Sequence, residues 1–224
     1  MSVNERPVTA PRVEGPPRMR GWVHAAVAPV AAVVAVALWG AAAPGLSRVS
    51  AAIFGIALVG LYAISALYHM GRWSVRGRRW LGGMDGAMIQ VFIAATFTPV
   101  AVHALDGVWR TSSLVIAWTI ALLGAGVAMS PVTPPAWLSV AAYVAFGSLA
   151  AIPLLRIGGA LDPSGTALLA AGGAIYILGG LVYARRRPDP WPAWFGFHEV
   201  FHVLVVIASA AHVMAIWSYV LPRA

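Results

Sequence analysis

Phe197-His198-Glu199-Val200-Phe201-His202 heads a run that carries no charged residue from Val200 to Pro222. As a helix rising ~1.5 Å per residue, a run of that length crosses the ~30 Å hydrocarbon core of a bilayer. His198 and His202 are four residues apart, so they share one helix face about 6 Å apart along the axis, and both imidazoles can reach one metal ion. Ionisable side chains at the end of such a helix are costly unless they have a task. The stretch is read as a membrane helix with part of a metal site at its entrance.

The composition agrees. Of 224 residues, 60% are hydrophobic and 10% are charged, and the mean hydropathy is +0.81. This is the composition of an integral membrane protein, and it leaves nothing for a sizeable soluble domain. Without a single cysteine, disulfides, thiolate nucleophiles and cysteine metal sites are excluded. Any metal must rest on His, Asp or Glu. The net charge of +8 comes entirely from arginine. The arginines bracket apolar segments and form no continuous stripe, which points to lipid phosphates as partners and not to nucleic acid.

Residues 1–20, rich in Pro and Arg, are expected to be a disordered cytoplasmic tail. The remainder, 21–224, reads as one transmembrane domain with spans near 22–42, 49–70, 82–103, 111–130, 136–156, 164–184 and 197–220. Ala41-Ala42-Ala43 resembles a signal-peptidase site, but the apolar run before it is longer than a signal core, and it is read as an uncleaved first helix. Ser130-Pro131-Val132-Thr133-Pro134-Pro135 splits one long apolar run into two helices. The expected fold is an all-α membrane protein, a seven-transmembrane helix bundle in the plasma (inner) membrane. Orientation follows from arginine. One side holds eleven (Arg6, Arg12, Arg18, Arg20, Arg72, Arg76, Arg78, Arg79, Arg185, Arg186 and Arg187) and the other four (Arg48, Arg110, Arg156 and Arg223). The N-terminus is therefore expected in the cytoplasm and the C-terminus outside.

This topology sorts the polar residues by depth. His69 ends the second span, Asp85 opens the third, and His198 and His202 open the seventh, all at cytoplasmic ends. Three imidazoles with a fourth position open to water form the ligand set of a catalytic zinc, which brings water towards ionisation at neutral pH. Asp85 would orient that water or accept its proton. Ser65 lies one turn before His69, on the same face. His24, at the inner end of the first span, is a neighbour of the ligands or a substitute for one of them. His103 lies 18 residues beyond Asp85, roughly 27 Å along a helix, and cannot share the site. His212 is ~15 Å from His202 and is expected to hydrogen-bond within the bundle.

Ser65-x-x-x-His69, Asp85, Ala94-Ala95-Thr96-Phe97-Thr98-Pro99 and Gly196-Phe197-His198-Glu199-x-x-His202 resemble the haemolysin III branch of the progestin and adipoQ receptor family. Gly21-Trp22-Val23-His24 after an Arg-rich tail extends the likeness over nearly all seven spans. The resemblance implies a seven-helix bundle that binds zinc through His69, His198 and His202, with Asp85 and Ser65 beside the metal. It also implies kinship with alkaline ceramidases, which cleave lipid amides. The chain departs from the family pattern at Gly86, where histidine is common, and at Ala95, where glycine is common.

The leading expectation is a zinc-dependent hydrolase of a lipid amide or ester, with membrane lipids, including a ceramide-like substrate, as partners. A receptor or membrane-state regulator with structural zinc is the alternative. A cytolytic pore finds little support in helices without a polar stripe. His198-Glu199-x-x-His202 also matches the pattern of zinc proteases. In intramembrane proteases, however, the aspartate motif follows the histidine helix, whereas Asp85 precedes it. Glu199 lies about 100° round the helix from His198 and is expected to meet the Arg185–Arg187 loop.

Overall fold

The computed structural model describes residues 15–132, 134–155 and 161–221, with no side chains for 153–155. Arg156, Arg223, Thr133 and the first fourteen residues of the expected tail lie outside the described residues. Among the described residues seven α-helices follow one another: α1 Trp22–Ala41, α2 Leu46–Met70, α3 Val75–Ala104, α4 Gly107–Met129, α5 Ala136–Leu155, α6 Pro163–Arg185 and α7 Phe197–Ala215. A π-helical turn, Ile216–Val220, continues α7. Six of these helices are long and apolar enough to cross a membrane. The fifth contributes a shorter apolar stretch, Ala136–Ile152.

Short links make chain neighbours into spatial neighbours. α1 packs on α2, α2 on α3, α3 on α4 and α6 on α7, while α5 touches α3, α4 and α6, and α7 returns to α1. The ends are set by local chemistry. Ser74 caps α3, its hydroxyl accepting the Gly77 N–H at 3.2 Å. Asp162 caps α6, accepting the Ser164 N–H at 2.7 Å just before Pro163 at the first helical position.

α3 is the most enclosed helix, buried continuously from Ala94 to Ala101. Pro99 removes a backbone donor there, yet the helix runs on. Thr98 and Thr96 donate to the carbonyls of Ala94 at 2.7 Å and Phe92 at 2.8 Å, and not to the Ala95 carbonyl that Pro99 leaves without its usual donor. Trp118 of α4 donates its indole N–H to the Thr98 hydroxyl at 3.1 Å.

A small-residue pair makes a close helix contact, while several branched residues face outward. Gly55 of α2 lies against Ala35 of α1. Val33 and Val36 are 70% exposed and Ile56 is 73% exposed. That inverted pattern suits a lipid surround, where close backbone approach and not apolar burial drives helix association.

Two boundaries differ from the sequence expectation. The third helix begins at Val75, not near 82, so Arg76, Arg78 and Arg79 lie on its first turns and not in a loop. Hydropathy sees only the part of a helix that lies in hydrocarbon. Residues 17–20, expected within the disordered tail, are tied to the segment before α7. The Arg18 N–H donates to the Ala193 carbonyl and the Met19 N–H to the Trp194 carbonyl, both at 3.1 Å.

Candidate metal centre

The last turn of α2 and the first two turns of α7 bring three histidines together. The His69 and His198 Nε2 atoms are 3.2 Å apart. One ring nitrogen from each of His69, His198 and His202 falls within 4.8 Å of the others. The rings meet at steep angles: His69 and His198 centroids are 4.8 Å apart at 81°, and His198 and His202 are 4.6 Å apart at 67°. His202 is buried, and His69 and His198 are half-buried.

This donor set fits zinc. Zn–N bonds of about 2.0–2.1 Å place two nitrogens of a tetrahedron roughly 3.3–3.4 Å apart, close to the His69–His198 separation. The His202 Nδ1 is buried without a hydrogen-bond partner among the described residues. An all-imidazole set also suits other divalent transition metals.

Asp85 joins the cluster from α3, its Oδ2 lying 3.6 Å from the His69 Nε2. It stands ten residues into α3, nearly three turns from Val75, and not at the helix start as expected. Its side chain is 23% exposed against 7% for His69. The buried Ser65 side chain lies beside this carboxylate. All five residues singled out from the sequence thus lie in one neighbourhood, although the three-histidine group does not include Asp85.

His24 is buried and stacks on His202 with centroids 3.9 Å apart and planes within 10°. An imidazole lone pair lies in the ring plane, so two parallel stacked rings cannot both point at one ion. His24 is therefore a wall of the site in this conformation. The edge of Tyr62 meets His24 at 5.0 Å, and the Tyr62 hydroxyl pairs with the Ser209 hydroxyl. Tyr183 of α6 packs on His198 at 5.5 Å. The other two histidines stand apart. His103 lies near the far end of α3, and the His212 Nε2–H donates to the Leu169 carbonyl of α6 at 3.1 Å, as expected for a bundle contact.

Glu199 corrects the sequence reading. Its carboxylate does not meet the Arg185–Arg187 loop. It is 1% exposed and paired with the Arg20 Nε, and its second oxygen accepts the Gly196 N–H at 2.8 Å. Engaged on both sides, it is poorly placed to take a proton at the histidines, as a His-Glu-x-x-His protease would require. The pairing spans 179 positions. The available signal was the acid itself, since a buried carboxylate at the head of an apolar helix needs a cation.

Known proteins resemble the chain over most of its length. A family profile described as Haemolysin-III related matches residues 16–213. The "Hemolysin-3 homolog" of Bacillus subtilis (strain 168) is 30% identical over 136 residues, 61% of either chain. The "Heptahelical transmembrane protein ADIPOR2" of Oryza sativa subsp. japonica is 29% identical over 149 residues, 59% of this chain and 65% of its own. The "Adiponectin receptor protein" of Drosophila melanogaster is 42% identical over 45 residues, 18% of this chain and 10% of its own. The chain thus aligns with less than two thirds of the length of each relative.

Proposed function

The chain belongs to the haemolysin-III related family, a multi-pass integral membrane protein, and from that premise we propose that it is a zinc-dependent hydrolase of a lipid amide or ester. The observation that carries this reading is the convergence of His69, His198 and His202 beside a partly exposed Asp85. The arrangement belongs with seven spans, the N-terminus in the cytoplasm and the C-terminus outside, which sets the site at the cytoplasmic leaflet.

His69, His198 and His202 would hold the ion. When bound, zinc supplies a Lewis acid that polarises the substrate carbonyl and favours ionisation of water. Asp85 accepts a proton as water adds to the carbonyl carbon. It returns that proton to the departing nitrogen or oxygen as the acyl bond breaks, a general-base then general-acid cycle. Ser65 holds the carboxylate in place. The stack of His24 on His202 keeps His24 out of the ligand set. Half-buried His198 and partly exposed Asp85 leave an approach to the site.

Reconstituted protein, zinc-loaded and given long-chain amide and ester substrates in the same vesicles, should release fatty acid from at least one. Asp85→Asn should keep zinc and lose about 10²–10⁴-fold in rate. A variant that hydrolyses as fast as the wild type would remove Asp85 from the mechanism. Absence of turnover in zinc-loaded wild type would favour a second reading, a receptor or membrane regulator with structural zinc. The name of the Drosophila relative supports that second reading.

A further inference from the structure

Two of the three candidate ligands sit in the first two turns of α7 and the third in the last turn of α2, and one short segment touches both. Pro17–Gly21 runs along the segment before α7 through the Arg18–Ala193 and Met19–Trp194 backbone bonds. The Arg18 guanidinium lies 4.6 Å above the centre of the Trp194 ring. Arg20 reaches the buried Glu199, the residue between the two α7 histidines and directly after His198. Glu199 and Asp189 complete the start of α7, accepting the N–H groups of Gly196 at 2.8 Å and Phe197 at 2.9 Å.

Gly21 makes the second attachment. Its φ is +86°, in the left-handed region that favours glycine. A Cβ there would come within 2.9 Å of the His69 Cβ and 2.8 Å of the Met70 Cγ. The backbone of the segment therefore rests on the end of α2 that carries His69. Three residues later the same chain places His24 on His202.

We propose that Pro17–Gly21 is a positioning strap for the histidine cluster, Arg20 setting the first turn of α7 through Glu199 and Gly21 setting the end of α2 at His69. The inference rests on the metal reading above. It assigns the strap no contact with substrate or ion. Its role is to hold His69 and His198 at ligand spacing across two helices that are far apart in sequence. Residues that orient metal ligands through such contacts change affinity by about 10–100-fold when altered.

The test is zinc affinity of the purified full-length protein, measured by chelator competition, for wild type, Arg20→Ala, Glu199→Gln, Gly21→Ala and Arg20→Lys. Glu199→Gln keeps an acceptor for the Gly196 N–H, so it isolates the ion pair. The first three variants should each raise the zinc Kd by about 10–100-fold. Arg20→Ala combined with Glu199→Gln should do no more than either alone, because one interaction is removed twice. Arg20→Lys should restore most of the affinity. The absence of native cysteine permits a second readout that needs no zinc, spin labels at Met19→Cys and Trp191→Cys. Their distance should be short and narrow in an otherwise native chain and broaden on Arg20→Ala. Unchanged affinity in all three variants of a zinc-binding protein overturns the strap, as does an unchanged label distance. A wild type that binds no zinc overturns the metal reading instead.

Discussion

Replacing Gly55 by alanine tests how closely the first two helices pack. The added Cβ would lie 2.7 Å from the Ala35 Cβ and 3.0 Å from the Ala35 Cα, whereas carbon contacts are comfortable at about 3.5–4.0 Å. A backbone carbon cannot swing aside, so α1 and α2 must separate by roughly 1 Å, and overpacking of this kind costs about 1–3 kcal/mol. Helix propensity favours alanine by about 1 kcal/mol, so the single variant should lose up to about 2 kcal/mol. The sharper quantity is the coupling with Ala35→Gly. Propensity terms cancel round that double-mutant cycle, leaving the contact itself, a favourable coupling of about 1–3 kcal/mol. Reversible unfolding in mixed micelles, followed through the ten tryptophans, gives all four stabilities. Coupling below about 0.5 kcal/mol, the level at which independent sites simply add, would refute the close contact. It would also refute the idea that α1 is held tightly enough to fix His24 on His202.

Topology and the outlying histidines give two more tests. A reporter fused after Ala224 should read as outside and one inserted at Trp73 as cytoplasmic, and a cytoplasmic C-terminus would overturn the arginine-based orientation. His212→Ala should leave zinc binding unchanged while losing about 0.5–1.5 kcal/mol for its bond to Leu169, measured by the same unfolding assay. Zinc loss in that variant would mean the α6–α7 contact, 15 Å or so along the helix, is coupled to the site.

The helices and the histidine cluster were legible because both follow from local rules. Uncharged runs mark spans, and a four-residue spacing puts His198 and His202 on one face. Depth alone was enough to pair them with His69 and Asp85. What stayed hidden depends on partners that no local pattern specifies. Glu199 announces a need for a cation without saying which, and several arginines compete for it on sequence grounds. The structure selects Arg20, because residues 17–20 are bonded to the segment just before α7. The start of α3 was hidden for a different reason. Arg76, Arg78 and Arg79 continue a helix beyond the apolar stretch, and their charge reads as loop to any measure of hydropathy. The His24–His202 stack needed the path of the chain at Gly21, where a positive φ turns it into α1. A glycine after an arginine-rich stretch does not declare such a turn.

The central claim is that side chains from α2 and α7 hold one metal ion together. It is tested most directly by elemental analysis of purified protein, wild type beside His69→Ala, His198→Ala and His202→Ala, with His103→Ala as the distant control. The wild type and the control should carry about one zinc per chain, with a sharp loss in each of the other three. Full zinc occupancy after removal of His69 would contradict it, because the ion would then be held without α2.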